Sequence, residues 1–424
     1  MTAIHYPGAP SRRMTADAPA PPARALTRAV AINVFIRAAF YLFIFSIPFE
    51  MPKARTIPIE IPTLTGLIFL ASTVLQPSAC YRRLPAPLLF FGAYLWMFVA
   101  SVYVNQVEAR GEVLKLFVTL VLMLLLLWAM INVLSDTRAM KGLLLTLIVA
   151  CTIRAIMPVF DIASKHYDVM TGGVRTTTLG QNLNLSAMIL AAGLVMVVGL
   201  RIQAIRQQIW LHLIAWPAAA VMAWTLIQTG SRGGLVCACA GLMVYTLRGR
   251  SLEQRVRNVA LGMLAVGVLA FAAWQTPMMR ARFEFTASEG HMAGREKIYP
   301  ALFSMLKEKP IIGWGPLANQ YEVAARMEEP GRARRDAHNL MLELLTATGI
   351  LGWVPFVIGL FLTARMAWRG RQGRLGMIPI AVLATMLVGT LSGTWIAAKI
   401  FWVAVALAIA AGLYWSRPVP QEYA

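Results

Sequence analysis

Long apolar segments recur along the whole chain, and short polar segments separate them. Most are close to the length of about 20 residues that a helix needs to cross the hydrocarbon core of a bilayer. The pattern predicts an all-α polytopic membrane protein with twelve membrane-spanning helices. The predicted spans are 28–47, 57–76, 86–104, 113–134, 140–160, 183–200, 209–228, 233–248, 256–275, 338–364, 375–393 and 396–415.

The composition agrees with a membrane protein rather than with a globular enzyme on a single anchor. The chain is 58% hydrophobic and 14% charged, whereas soluble domains carry about a quarter charged residues. Basic residues gather in short loops on one side of the predicted bundle, at Arg82-Arg83, 247–257 and 364–374. The positive-inside rule therefore places both termini in the cytoplasm. The net charge of +20 reflects this topology and attraction to anionic membrane lipid, so nucleic acid is not an expected partner.

The spans and the remaining polar segments predict five regions of the chain. Residues 1–27, rich in Pro and Ala, form a disordered cytoplasmic tail. Spans one to nine occupy 28–275, an outer (periplasmic) loop follows over 276–337, spans ten to twelve occupy 338–415, and 416–424 form a second cytoplasmic tail. These regions make the outer loop the one large soluble portion of the predicted protein.

The predicted outer loop contains an amphipathic segment. Ile298, Leu302, Met305 and Leu306 recur at helical spacing, which predicts a short helix that lies on the membrane or on the bundle. Glycines and prolines within 309–316 interrupt the helical pattern. Short helices are therefore expected inside the outer loop.

Three arginines on the predicted outer side lie in or beside glycine-rich turns: Arg175, Arg232 and Arg295. Each has an ordinary explanation, because Arg175 could pair with Asp168, Arg232 could reach lipid headgroups, and Arg295 could pair with Glu296. Together, however, guanidinium groups and glycine N–H groups can converge on one anion. A diphosphate at the outer leaflet would suit such a site, because arginine binds phosphate oxygens in bidentate fashion.

Further polar residues could support the same site. Lys53 lies in the first outer loop, and Asn182 follows Arg175 shortly before the sixth span. Arg154 lies within the fifth span towards its outer end, where a charge is costly and tends to face a cavity.

His338 is one of only five histidines, and it stands where a charged loop meets an apolar helix. A lone histidine there commonly caps a helix or lies at an interface, so the position alone does not define a function. Asp336 and Asn339 could orient it or cap the helix. Glu343, five residues further on, could face the same cavity or pair with a buried cation such as Arg154.

Several common catalytic motifs are absent from the sequence. The outer loops contain no Asp-x-Asp pair, and the chain contains no His/Cys cluster and no His-Glu-x-x-His motif. No ligand set for a catalytic metal is therefore visible, and neither a metal nor another cofactor is expected. No Gly-x-x-x-x-Gly-Lys loop exists, which argues against a machine driven by ATP.

Four stretches in a fixed order carry a resemblance to a known family. They are the run that contains Arg175, Gly180 and Asn182, then TGSRGGL, GREKIYPALFSMLKEKPIIGWGP and HNLMLELLTATGILGW. Over about residues 170–355 the chain resembles the O-antigen ligase family, within the wider O-antigen ligase/polymerase membrane superfamily. It departs from the family pattern at Tyr299, where tryptophan is common, and at Gln181, where proline is common.

The resemblance implies a glycosyltransferase C-like fold and a specific reaction. Such ligases move O-antigen polysaccharide from undecaprenyl diphosphate to a sugar hydroxyl of lipid A–core, at the periplasmic face of the Gram-negative inner membrane. By this resemblance His338 matches the family's candidate base. Arg175, Arg232 and Arg295 would neutralise the diphosphate leaving group, the task that Mg²⁺ has in many sugar transferases. One direct displacement would invert the anomeric carbon.

Three other functions remain open from the sequence. An O-antigen polymerase of the same superfamily would use a similar donor and a lipid-linked glycan as acceptor. A transporter could also have twelve helices, although transporters usually show two related halves and polar breaks near the midplane, and no such pairing is found in the sequence. A lipid-binding scaffold would need the arginines but not His338.

Overall fold

The computed structural model describes residues 31–51, 60–168, 172–203, 209–249, 251–290, 294–327 and 334–416. The helices in these ranges are α1 (Val34–Ser46), α2 (Ile61–Ser72), α3 (Pro77–Cys80), α4 (Ala86–Val104), α5 (Arg110–Val133), α6 (Thr137–Ile156), α7 (Leu183–Gln203), α8 (Ile209–Gln228), α9 (Arg232–Val244), α10 (Leu252–Gln275), α11 (Pro277–Glu289), α12 (Arg295–Glu308), α13 (Ala318–Arg326), α14 (Leu340–Gly370), α15 (Ile378–Gly389) and α16 (Lys399–Tyr414). The strands are β1 (Ser164–Asp168) and β2 (Gly173–Thr177).

Each of the twelve predicted spans coincides with an apolar helix. Six of these helices are long and apolar enough to cross a membrane: α4, α5, α6, α7, α10 and α14. The apolar helical stretches at the other six, which are α1, α2, α8, α9, α15 and α16, are shorter, at 10–17 residues. The chain is thus a helical polytopic membrane protein, and the count of twelve crossings stays a prediction.

The helices form a bundle around α16, which is buried along nearly its whole length. It packs against α5, α14 and α15, while α14 packs against α4, and α7 packs against α8, α9 and α15. Helix α10 lies at the outside, where only Leu269 and Ala273 are buried. An apolar helix with so little contact to protein is suited to face lipid, whereas α16 has the setting of a core helix.

Helix α14 is interrupted at Gly349, whose φ of 62° and ψ of −168° are not helical. The segment that follows α12 inserts its backbone at this break. Trp314 N donates to Thr346 O at 2.8 Å, and Leu351 N donates to Ile311 O at 3.2 Å. A Cβ at position 349 would lie 2.1 Å from Ile311 O, so only glycine fits here. The glycines and prolines of 309–316 therefore join the outer segment to α14.

The predicted amphipathic helix is α12, and it packs against α13 and α14. Three of its four predicted apolar residues are buried. They pack against residues of α13 and of the loop directly before α14. The resulting second core consists of Ile298, Leu302, Met305, Val323 and Ala337. The sequence left open whether this helix lies on the membrane or on the bundle. In the structure it contacts the bundle.

One hairpin departs from the all-α prediction. Strands β1 and β2 pair antiparallel, with His166 opposite Arg175. The β-branched residues Val174, Thr176 and Thr177 favour a strand at β2. The hairpin places Arg175 on a defined backbone rather than on an irregular loop.

The predicted boundaries of the outer loop and of the tails stay predictions. The N-terminal tail predicted over 1–27 and the residues 417–424 lie outside the described part of the chain.

Candidate functional site

The three arginines predicted from glycine-rich turns come together beside the β-hairpin. Arg175 Nε donates to the carbonyl of Thr229 at 2.9 Å, in the turn before α9. Arg232 is close enough to Arg175 and to Arg295 for the charges to repel each other. Burial, followed by repulsion from Arg282, lowers the pKa of Arg175 to about 10. Guanidinium groups from three distant parts of the sequence thus share one region.

Arg282, in α11, is a fourth member that the sequence did not single out. Its Nη1 contacts the carboxylate of Asp168, which also lies 3.9 Å from Arg175 Nη1. Its carbonyl accepts a hydrogen bond from Arg232 Nη1 at 2.9 Å. We call Arg175, Arg232, Arg282 and Arg295 the arginine cluster. Arg282 is one of several charged residues in α11, so the local sequence does not mark it as a candidate site residue.

Helix N-termini add partial positive charge to the same region. Arg232 and Arg295 are the first residues of α9 and α12. The hydroxyl of Ser231 accepts from Gly234 N at 3.1 Å, which caps α9, and it lies 2.8 Å from Oδ1 of Asn184 in the first turn of α7. The starts of α7 and α9 are therefore adjacent, and N–H groups at helix N-termini favour anions.

The short segment after α15 connects the arginine cluster to the start of α14. The carbonyl of Ser392 accepts a hydrogen bond from Arg295 Nη2 at 3.2 Å. The carbonyl of Thr390 accepts from Leu340 N at 2.8 Å, two residues after His338. This segment could not be recognised from the sequence, because a few small polar residues between two apolar spans are a weak signal.

His338 lies next to Asp336 and is 37% exposed at its side chain. The Nδ1 atom of the imidazole is 2.9 Å from Oδ1 of Asp336, and the backbone N of His338 donates to the same oxygen at 2.7 Å. Burial opposes ionisation of Asp336, but hydrogen bonds from His338 and Thr394 hold its pKa below the usual range. An ionised Asp336 orients the ring with Nδ1–H towards it, which leaves Nε2 as the basic nitrogen.

The two asparagines predicted to support the site act as helix caps. Oδ1 of Asn339 accepts from Met341 N at 2.9 Å at the start of α14. Oδ1 of Asn182 accepts from Asn184 N at 2.9 Å at the start of α7. Both bonds satisfy N–H groups that a helix start leaves without a partner. The capping alternative therefore accounts for these side-chain oxygens.

Arg154 lies apart from the contacts that define the site. It is buried, its Nη2 donates to Ser186 Oγ at 2.6 Å, and its Nη1 contacts the carbonyl of Pro48. The suggested pairing between Arg154 and Glu343 is not found, because Glu343 accepts hydrogen bonds from other residues. Arg154 thus ties α6 to α7 and to the end of α1. Lys53 lies outside the described residues.

Within the described ranges, no group of three His, Cys, Asp or Glu residues is arranged to hold a metal ion. The polar chemistry that the structure brings together consists instead of guanidinium groups, helix N-termini and a His–Asp pair.

The fold and the site define a polytopic helical membrane protein with a cationic site at one end of its bundle. Residues 217–357 match the family model described as O-Antigen ligase, and this match supports the resemblance that the sequence motifs carry. The matched range includes Arg232, Arg295 and His338, and it begins after Arg175. A comparison with curated proteins finds no match.

Proposed function

We propose that this protein transfers O-antigen polysaccharide from undecaprenyl diphosphate to a sugar hydroxyl of lipid A–core, without ATP and without a metal. The observation that carries the proposal is the connection between the His338–Asp336 pair and the arginine cluster through the segment after α15. A glycosyl transfer from a diphosphate needs a base for the acceptor and cations for the leaving group, and this region offers both.

The arginine cluster would stabilise the departing diphosphate. Asp168 contacts Arg282 and lies 3.9 Å from Arg175 Nη1, and Asp168 and Glu296 both interact electrostatically with Arg232. Four guanidinium groups thus face two carboxylates, which leaves an excess of positive charge among these residues. A diphosphate ester is a dianion, so it would complete the charge balance and accept hydrogen bonds from the guanidinium groups. Because backbone carbonyls hold Arg175, Arg232 and Arg295 before substrate arrives, little reorganisation is needed as charge develops on the leaving oxygen.

His338 would act as the base. Nε2 takes the proton of the acceptor hydroxyl while Asp336 holds the Nδ1–H side of the ring. The acceptor oxygen attacks the anomeric carbon, the bond from that carbon to the phosphate oxygen breaks, and the electron pair of that bond stays on the diphosphate. One displacement inverts the anomeric configuration. The glycosyl–diphosphate bond itself supplies the driving force.

The membrane would present both substrates. With twelve crossings and both termini in the cytoplasm, the site faces the periplasmic side of the inner membrane, where both lipid-linked substrates can diffuse to it. This orientation rests on the basic short loops of the sequence.

The test uses the purified full chain in vesicles with lipid-linked O-antigen and lipid A–core, in the absence of ATP. The expected product is glycan attached to the core, detected as a ladder of larger lipopolysaccharide species. Longer lipid-linked chains without transfer to core would instead identify a polymerase. Absence of any new covalent product would overturn both enzyme assignments and favour a transporter or a scaffold.

A further inference from the structure

Glu343 is a buried carboxylate in the first turn of α14. It accepts three hydrogen bonds, and all three come from outside its own helix. Its Oε1 accepts from Gln320 Nε2 at 2.8 Å and from Asn319 Nδ2 at 3.0 Å, and its Oε2 accepts from Ala337 N at 3.0 Å. A buried carboxylate is costly unless its oxygens are satisfied in this way.

One of these bonds reaches the residue directly before His338. His338 itself has a φ of 48°, a left-handed conformation that is uncommon and strained for a residue with a side chain. Such a conformation persists only where the surroundings fix it. Glu343 fixes it from the N-terminal side through Ala337 N, while Thr390 O fixes it from the C-terminal side through Leu340 N.

The other two bonds reach α13. Gln320 in α13 also binds the loop before His338 directly, because its backbone carbonyl accepts a hydrogen bond from Arg335 N at 3.0 Å. Asn319 also donates to Thr346 Oγ1 of α14 at 3.2 Å. Glu343 is therefore the common acceptor that holds α13, α14 and the loop before His338 in one arrangement.

We infer that Glu343 is a positioning residue, which fixes the backbone of the His338 loop so that the imidazole stands correctly for proton abstraction. The inference rests on the proposed function, since it assigns a role towards the base of that reaction. Among the described residues, the hydrogen bonds of the Glu343 carboxylate go to α13 and to Ala337, and none of them goes to the arginine cluster. Its loss should therefore change the chemical step and leave donor binding intact.

The main variant is Glu343→Gln, which keeps the side-chain volume. It replaces the carboxylate acceptor with an amide, which then faces the amide donors of Asn319 and Gln320. The matched control is Glu322→Gln on the same helix as Gln320, where the carboxylate pairs with Arg326 at 2.8 Å. In the ligation assay, we expect kcat of Glu343→Gln to fall about 10- to 100-fold, as for lost support of a catalytic group. KM for the lipid-linked donor stays within about twofold, and Glu322→Gln retains the kcat of the wild type.

A second readout does not depend on activity. Hydrogen exchange over the peptide that covers residues 334–340 should become faster in Glu343→Gln, because Ala337 N loses its buried acceptor. Adding Gln320→Glu to Glu343→Gln exchanges donor and acceptor between the two positions. We expect this pair to restore most of kcat and the slow exchange.

If Glu343→Gln fails to fold, Gln320→Ala removes one of the three contacts and keeps the carboxylate. It should lower kcat by a smaller factor with unchanged KM. Wild-type kcat and wild-type exchange in Glu343→Gln would overturn the inference, as would equal losses in Glu343→Gln and Glu322→Gln. Failure of the wild-type chain to transfer glycan would count against the proposed function instead, and the exchange measurement would still test the link to the His338 loop.

Discussion

Arg154 and Arg175 are both withdrawn from solvent, but they differ in what surrounds them. Arg154 is 1% exposed within α6, and its terminal nitrogens contact the hydroxyl of Ser186 and the carbonyl of Pro48. Arg175 is half-buried on a hairpin and shares Asp168 with Arg282 while Arg232 repels it. The first arrangement gives neutral oxygen partners to both terminal nitrogens of one cation, although its buried Nε has no partner among the described residues. The second arrangement gathers cations that repel each other.

This difference motivates the proposal that Arg154 has a structural role and the arginine cluster a functional one. A buried cation that donates to neutral oxygens on two neighbouring elements ties those elements together. A cluster of like charges reduces stability unless an anion enters, and perturbed charges of this kind concentrate at functional sites. The sequence placed Arg154 among the residues that could support the site of Arg175, Arg232 and Arg295, because a sequence does not show which acceptors surround a guanidinium group.

The largest expected effect concerns His338, the proposed base, which the segment after α15 connects to the arginine cluster. His338→Ala should lower kcat for glycan transfer by about 10²- to 10⁴-fold, the range for loss of a general base. Binding of the lipid-linked donor, measured separately by its dissociation constant, should stay unchanged because the arginines are intact. Full activity in the variant would show that another group removes the proton.

Arg232→Ala should weaken donor binding about 10- to 100-fold, since one charge-assisted hydrogen bond is worth about 1.5–3 kcal/mol. Titration of a lipid-linked diphosphate against the purified variant measures the effect. Arg232→Lys should recover part of the affinity, because lysine keeps the charge but not the bidentate geometry. Unaltered affinity in Arg175→Ala, Arg232→Ala and Arg295→Ala would remove the diphosphate site from the proposal.

Arg154→Met tests the proposed structural role of Arg154. It should lower the free energy of unfolding by about 1–3 kcal/mol, because Ser186 and the Pro48 carbonyl lose a buried partner. Thermal unfolding in detergent measures this loss. The folded fraction should bind donor as the wild type does, and a specific loss of donor affinity would place Arg154 in the site after all.

The smallest expected effect concerns a cap. Asn182→Ala should lower stability by about 1 kcal/mol, the usual loss for a helix N-cap, and Asn182→Ser should restore most of it. Unfolding midpoints of the two variants give the comparison. A large loss of donor binding in Asn182→Ala, with little loss of stability, would contradict the capping role of Asn182.

The positions of the helices could be predicted because a bilayer imposes a length on apolar segments, and that length is visible in the sequence. The break of α14 at Gly349 could not be predicted. A single glycine inside an apolar helix is tolerated, and only the approach of Ile311 makes it necessary. The hairpin that carries Arg175 was also missed, since its strands are five residues long.

Within the proposed site, His338 and the arginines in glycine-rich turns could be selected from the sequence. The contacts that hold these side chains in place could not be predicted. Arg295 and Ser392 are 97 residues apart in the sequence, and no local pattern indicates that they meet. The role of Glu343 was equally hidden, because its partners lie on another helix and on a loop.

The second core affects the order in which parts of the protein unfold. Its five residues include Ala337, the neighbour of His338, and they are separate from the much larger core of the bundle. So small a cluster withdraws little apolar surface from water, so it opens at a lower free-energy cost than the bundle does. On gentle heating we therefore expect the second core to open, and His338 to move relative to its neighbours, while the bundle core stays folded. The proposed site would then lose its geometry before the bundle unfolds.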